Sequence, residues 1–450
     1  MRLSVSYANM EGLLVRLPDP TTTMKHPHAR HPIARHGRLK TPHPVAVAAQ
    51  YLAVALAVVL VSGAAFAGYA TWSVSSEVQT VALAGETPGA AAPQISAIDG
   101  GVNLLLVGSD SREGQGDAYG ETEGNLNDVT MLMHIAQDHS SATVVSFPRD
   151  MVVPIPSCPD PTGGSFDAMS AQPINVTLSY GGLPCTVLTV EALTGLSIPF
   201  AAEIQFNGVI EMSNAVGGVP VCVVDPIDDE YTGVVLDSGT HVLQGADALG
   251  FLRTRHGVGD GSDLGRISSQ QVFLSSLVRT MKSGETLGDF TKLYGIARAA
   301  SSNMVLSQSL ASPDTLVSIA LALKDIDLDR VTFVAYPGVT GGDGVYAGKV
   351  EPLYDDAAVL FSAISADQPV TTADPANTGV GAVVDPNAPA TAVPAPDASD
   401  GTATTTPGDA AAADGTATQT PDVAKTPTAL PQSITGQTAA EYTCSKGNDY

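Results

Sequence analysis

Arginine is the only strong cation across a long central stretch of this chain. Between Ser73 and Arg266 there are 24 acidic residues against five cations, Arg112, Arg149, Arg253, Arg255 and Arg266, and no lysine. A surface that needed only positive charge would use lysine as well. A guanidinium is a planar fork of donors that stays charged and grips phosphate oxygens in pairs, so this selection points to a phosphate ligand. Ordinary salt bridges to some of the 24 acids are the competing explanation. Position argues against it. Arg112 stands in GSDSR, directly after the apolar run VNLLLV, and Arg149 with Asp150 follows TVVSF. Both should project from the ends of strands, where open α/β sheets bind ligands. Arg253 and Arg255 are two residues apart in FLRTR, a spacing that in an extended segment turns both to one face as a clamp.

The segment DLGRISSQQVFLSSLVRTM reads as a helix. At about 3.6 residues per turn, Asp263, Arg266 and Gln270 share a stripe with Leu274, Leu277 and Met281. Polar groups on the inward face cost roughly 2 to 7 kcal/mol each if left without partners, and charges cost more. These three should therefore line a cleft, unless Asp263 and Arg266 form a structural ion pair. Asp110, Asp128 and Asp263 would repel the phosphate that the arginines attract. A divalent metal removes the conflict, since Mg²⁺ is held by one or two carboxylates together with phosphate oxygens and water. A metal-free salt-bridge network is the alternative.

The elements that must position these residues lie in one domain, residues 98–366, where short apolar runs alternate with longer amphipathic stretches. Strands are expected at Val102–Val107, Val129–Ile135, Thr143–Phe147 and Val219–Val224, and helices at Cys185–Leu193, Phe206–Ala215, Ala246–Phe251 and Ile267–Met281. This alternation implies an α/β domain with a mixed central sheet flanked by helices on both faces. No P-loop, HExxH or GxSxG motif is present. The acidic balance and the lack of a basic helix argue against nucleic acid as a partner.

Residues 1–44 form a basic arm with seven Lys or Arg, and residues 45–71 carry no charge, long enough to cross a membrane as one helix. Basic residues before the span put the N-terminus in the cytoplasm and the rest outside. A cleaved secretory signal ending near Ala65-Phe66-Ala67 is the competing reading. Residues 72–97 read as a stalk, and 367–450, rich in Ala, Thr, Pro and Asp, as a disordered tail. Cys158, Cys185, Cys222 and Cys444 lack CxxC spacing and allow three pairings, of which Cys158 with Cys185 closes the shortest loop.

Taken in order, GSDSR, NDVTMLMHI, SFPRD, INVTLSYGG, FLRTRHGVGDGSDLGR and QQ resemble the LytR-CpsA-Psr proteins of Gram-positive envelopes, of the actinobacterial type, over about residues 98–285. The resemblance implies a phosphotransferase that moves a glycopolymer from a polyprenyl pyrophosphate carrier to peptidoglycan, forming a phosphodiester with Mg²⁺ assisting. It implies a site made of Asp110, Arg112, Asp128, Arg149, Arg253, Arg255, Asp263 and Arg266. In that reading Arg112, Arg149, Arg253, Arg255, Arg266 and Gln270 hold the pyrophosphate, Asp110, Asp128 and Asp263 hold the metal, and Asp128 serves as base. The carrier tail calls for an apolar channel, for which Phe206–Ile210 and Val272–Leu277 are candidates. One departure stands out: Ser269 occupies the place before the paired glutamines where many members have arginine. A polyprenyl pyrophosphate hydrolase and a non-catalytic envelope-binding or regulatory protein are the alternatives.

Overall fold

The computed structural model describes residues 44–76, 78–86, 101–111, 125–287, 289–388 and 425–448. Its two compact units divide between Ala65 and Phe66. The uncharged run is helical: α1 covers Pro44–Ser76, 33 residues. At 1.5 Å per residue that is about 50 Å, more than the roughly 30 Å of a hydrocarbon core. A second apolar helical stretch, Ile174–Thr194, is long enough to cross a membrane but is mostly buried within the folded domain, as a core helix should be. The basic arm before Pro44 lies outside the described residues.

The second unit is built on an eight-stranded sheet: β1 (Gln79–Val81), β2 (Val102–Ser109), β3 (Asn127–Ile135), β4 (Ala142–Phe147), β5 (Phe200–Ile204), β6 (Met304–Ser307), β7 (Val331–Ala335) and β8 (Gly436–Thr438). The spatial order is β1-β6-β5-β2-β3-β4-β7-β8. β3 runs antiparallel to both β2 and β4, whereas β5 is parallel to β2 and β7 is parallel to β4. The sheet is therefore mixed, as expected. Its strands are apolar on both faces because both are covered. Leu105, Val107, Leu132, Val145 and Val334 pack with helix α2 (Thr177–Thr194) and the helix Tyr354–Ser365. Val102, Ile135, Phe200 and Phe333 pack on the other side with the helix Pro313–Asp325. Each buried Leu, Ile, Val or Phe contributes roughly 1.5–3 kcal/mol.

A smaller four-stranded sheet, in the order Gly239–Leu243, Val219–Val223, Thr443–Ser445, Ala382–Val384, completes the domain. It packs with α4 (Gly245–Arg253) and α5 (Asp263–Lys282), and α3 (Phe206–Val216) packs with α4. All four expected helices and all four expected strands exist, with ends moved by a few residues except in α2, which begins eight residues earlier, at Thr177, and kinks at Gly181-Gly182.

Two boundaries need correction. The stalk is not free throughout, since Gln79–Val81 pairs with β6 at the sheet edge. The tail is not disordered throughout, because residues 367–388 and 425–448 join the domain. β8 pairs with β7, Thr443–Ser445 lies between two strands of the small sheet, and Leu430, Ile434, Ala439 and Cys444 are buried. A composition too poor to bury a core of its own does not stop a segment from adding strands to an existing one. Residues 389–424 lie outside the described residues. Cysteine pairing is Cys158–Cys185, the shortest-loop choice, and Cys222–Cys444, which staples the C-terminal strand across 222 residues of chain.

Candidate active site

β2, β4, β5 and β7 all run in one direction, so their carboxyl ends share one edge of the sheet. Asp110 follows β2 and Arg149 follows β4, while Asp128 opens the antiparallel β3 and so meets them there. Asp110 is held by its neighbour on that edge: its Oδ1 accepts from the Leu126 amide at 2.7 Å. The Arg149 segment is braced from behind by the INVTLSYGG motif, whose Asn175 amide donates to the Arg149 carbonyl at 3.2 Å.

Helix α5 delivers the next group. Ser262 caps it, accepting from Gly265 N at 3.2 Å, and Asp263 and Arg266 on its first turn are only 2 % and 3 % exposed. Asp263 Oδ2 accepts from the Arg149 amide at 2.7 Å, which ties α5 to the end of β4. Arg266 Nη2 reaches Asp263 Oδ1 at 2.6 Å and donates to the Asp128 carbonyl at 2.6 Å. Arg149 Nη1 pairs with Asp128 Oδ1, and its Nε lies 3.6 Å from Asp150 Oδ2. Burial opposes charge on Arg149, but Asp128, Asp150 and Asp263 outweigh it and raise its pKa.

Arg253 and Arg255 do not lie on an extended clamp. α4 ends at Arg253, Thr254 turns to extended backbone, and the two side chains part. The Arg253 guanidinium stacks over Phe206, 4.2 Å from the ring centroid. Arg255 Nη2 reaches Asp150 Oδ2 at 3.4 Å instead, and Lys349 Nζ meets the other Asp150 oxygen at 3.3 Å. Burial alone would raise the Asp150 carboxyl, yet Arg149, Lys349 and Arg255 together pull it below its ordinary value. Arg149 and Arg255 thus converge through Asp150, and Arg149 and Arg266 through Asp128 and Asp263. Arg112 lies outside the described residues.

Arg253, Asp128 and Gln270 stand at the polar part of an apolar cavity of about 250 Å³. Its walls include Met131, Ile204, Phe206, Leu249, Phe273 and Leu277. Phe206, Val209, Phe273, Leu274 and Leu277 come from the two segments expected to line a channel, whereas Ile210 and Val272 do not line it. Gln270 is buried and donates from Nε2 to the Leu252 carbonyl at 2.8 Å, so it fixes the end of α4 beside Arg253. Ser269 turns the other way, fully buried, with Oγ 2.7 Å from Ser445 Oγ and 3.2 Å from the Gly381 carbonyl. An arginine there would meet the C-terminal strand rather than a ligand.

The three carboxylates expected at a metal do not form one tight cluster. Among the described residues the only trio of possible ligand atoms within 4.8 Å of one another is Cys222, Asp385 and Cys444, whose sulfurs are already joined in a disulfide. Asp263 and Asp128 still offer hard oxygen donors. Asp263 Oδ1 is buried and near Arg266, but no N–H is aimed at it, and Asp128 Oδ2 takes no hydrogen bond among the described residues. Two such oxygens, with phosphate and water, suit Mg²⁺.

Sequence reasoning gave no role to three groups. Asp150 was noticed beside Arg149 but not as the hub that gathers Arg149, Arg255 and Lys349. Lys349 comes from the hairpin of Gly338–Thr340 and Val350–Pro352, far along the chain. Asp229 accepts from Thr254 Oγ1 at 2.5 Å and from the amides of Arg255 and Gly257 at 3.2 and 3.4 Å, shaping the loop after α4. Burial would raise its carboxyl, but Thr254 and these amides lower it. It was hidden in the acidic run Asp228-Asp229-Glu230.

A model of the LytR_cpsA_psr family matches residues 69–355. Cell wall biosynthesis protein LcpA of Corynebacterium glutamicum is 31 % identical over 275 residues, which is 55 % of this chain and 52 % of that protein. The Bacillus subtilis polyisoprenyl-teichoic acid–peptidoglycan teichoic acid transferase TagT is 28 % identical over 254 residues, 55 % of this chain and 71 % of that one. Among solved structures, a LytR-Csp2A-Psr enzyme from Actinomyces oris superposes with a TM-score of 0.47 and 21 % identity, covering 64 % of this chain and 96 % of that one. The chain spans about half the length of the two Corynebacterium relatives it matches.

Proposed function

Because the chain belongs to the LytR-CpsA-Psr family, we propose that it is a phosphotransferase that moves a glycopolymer from a polyprenyl pyrophosphate carrier to a hydroxyl of peptidoglycan, leaving a phosphodiester. The observation that carries this reading is the junction of two unlike spaces. An apolar cavity fit for a lipid chain meets, at Arg253 and Asp128, a group of guanidiniums fit for a pyrophosphate. A relative whose name specifies teichoic acid transfer to peptidoglycan supports the same substrate class.

In this mechanism the carrier tail occupies the apolar cavity and Arg253 meets the lipid-side phosphate. Arg149, Arg255 and Arg266 compensate the charge that spreads over the transferring group, and Arg112 is assigned to the same task. Phosphoryl transfer needs mainly positioning and charge compensation, so preset guanidiniums supply much of the rate. A peptidoglycan hydroxyl attacks the sugar-side phosphorus. Asp128, whose Oδ1 pairs with Arg149, takes its proton on Oδ2. Asp263, tied to the end of β4, and Asp110, at the end of β2, would hold Mg²⁺. Bound there, the ion would lower the charge of the departing lipid phosphate. We place the protein in the plasma membrane as a single-pass protein anchored by α1, with the basic arm in the cytoplasm and the domain outside.

The test is a reconstituted assay with radiolabelled lipid-linked polymer, with and without acceptor glycan. Acceptor-dependent incorporation that is lost in Arg253→Ala, in a protein that still folds, is the expected result. Release of the polymer at one rate with or without glycan would instead make the protein a hydrolase. Undiminished transfer by Arg253→Ala would remove Arg253 from the mechanism.

A further inference from the structure

The apolar cavity lies on the sheet face shared by Leu106, Met131 and Ile204. A second cavity, of about 370 Å³, lies on the opposite face, between the end of α2 and the helix Tyr354–Ser365. Side chains alternate along a strand. Phe147 and Tyr336 accordingly belong to the core of Leu105, Leu132 and Val145, not to that of Leu104, Leu106 and Met133.

This second cavity carries no charged residue in its lining, which includes Thr194, Tyr336, Tyr354, Phe361, Ser362 and Ser365. Tyr336 is 1 % exposed, and among the described residues its hydroxyl has no hydrogen-bond partner. A buried hydroxyl without a partner is unusual and calls for one. Burial, with Tyr354 beside it, keeps that phenol protonated and hence a donor. Tyr354 is 48 % exposed, so its ring carries the lining of the cavity out to the surface. Rings with an apolar body and a polar tip, set among neutral hydroxyls, match the alternating C–H faces and hydroxyls of a sugar.

The Tyr336 end of the cavity lies toward the sheet edge that carries the reacting centre, since Tyr336 directly follows β7. The Tyr336 amide donates to the Ser146 carbonyl at 2.8 Å, three residues before Arg149, and the Phe147 and Tyr336 rings lie 5.4 Å apart. Lys349, on Asp150, is five residues from Tyr354, at most about 18 Å along the chain. In phosphoryl transfer the attacking and leaving oxygens are roughly in line with phosphorus between them. With the lipid leaving group on one face of the sheet, an attacking hydroxyl that comes from the other face satisfies this line.

We propose that this second cavity is the acceptor subsite, taking an uncharged amino-sugar stretch of the glycan strand, stacked on Tyr354 and hydrogen-bonded by Tyr336. The inference rests on the transferase reading above. The glycan hydroxyl oxygen forms the new bond to the sugar-side phosphorus and the bridging P–O bond to the lipid phosphate breaks. That phosphate departs with the electron pair, and the hydroxyl proton passes to Asp128.

The experiment titrates a tetramer of N-acetylglucosamine onto the full-length protein in nanodiscs by calorimetry, and measures transfer kinetics with glycan acceptor. Tyr354→Ala should weaken tetramer binding about tenfold or more and raise the acceptor KM, with kcat at saturating glycan and binding of the polyprenyl pyrophosphate donor unaltered. Tyr336→Phe, which keeps the ring, should do the same to a smaller extent. Tetramer affinity and acceptor KM both unchanged in Tyr354→Ala would overturn the subsite and leave the transferase reading intact. Tetramer binding that depends on Tyr354, in a protein that transfers nothing, would overturn the transferase reading and leave a glycan site.

Discussion

Asp263 and Arg266 sit one helical turn apart, almost wholly buried, and each also grips a different strand end. Removing one partner of such a pair leaves the other charge uncompensated, at a cost of about 3–5 kcal/mol. Asp263→Ala should therefore lower the urea midpoint strongly. Asp263→Ala combined with Arg266→Met should recover much of that stability while activity stays lost. If the double variant regained activity, the pair would be structural only. Glu203 on β5 makes a different case. Burial raises its carboxyl even though Ser109 and Asn125 bond to it, so the folded state holds its proton more tightly than the unfolded chain does. Stability from this group is present below the ordinary glutamate pKa of about 4.3 and falls as pH rises toward the folded value. Glu203→Gln should abolish that fall and gain stability at neutral pH relative to the native chain. Thermal melts at pH 4 and pH 7 would show it, and an equal shift at both would refute the assignment.

At the scale of elements, the loop after α4 is held by the last strand of the chain. Gly259 N donates to the Lys446 carbonyl at 3.0 Å, Asn448 N to the Gly257 carbonyl at 3.0 Å, and Asn448 Nδ2 to the His256 carbonyl at 2.9 Å. Gly381 and Gly265 meet so closely that a Cβ on Gly381 would strike the Gly265 backbone, which is how the C-terminal strands reach the start of α5. Cys222–Cys444 locks this arrangement, and losing a disulfide that closes so long a loop costs about 2–5 kcal/mol. Cys444→Ser should therefore speed amide hydrogen exchange at Gly259 and nearby before it affects β3. Unchanged protection at Gly259 would mean that the strand stays docked without its staple. Ser269→Arg should act on the same strand, because the new side chain would enter the space now filled by Ser445 and Gly381.

For the whole molecule, a formal net charge of −25 surrounds a site that must attract a pyrophosphate. Attraction therefore has to be local, supplied by arginines whose acidic partners are fixed beside them. Donor affinity should weaken with added salt less steeply than for a uniformly basic surface, since partly buried charges are screened less. The arrangement across the membrane is separately testable. Protease added to intact protoplasts should remove the domain and spare a tag placed before Pro44, whereas loss of the tag with the domain retained would invert the proposed topology.

The sequence by itself determined four strands, four helices and the burial of Asp263, Arg266 and Gln270, because each follows from a local period in apolar residues. It also marked the arginines, since choosing one cation to the exclusion of the other is visible in composition. Only the tertiary structure decided which of them share partners. Arg253 and Arg255 part because a helix ends between them, and the hub at Asp150 forms because a lysine 199 residues away folds back to it. The C-terminal segment looked too poor in apolar residues to fold, yet it supplies strands to the two larger sheets and pairs Val370–Thr371 with Thr428–Ala429 in a third. Strand addition and disulfide closure draw their stability from a surface made elsewhere in the chain, and no local window of sequence contains that surface.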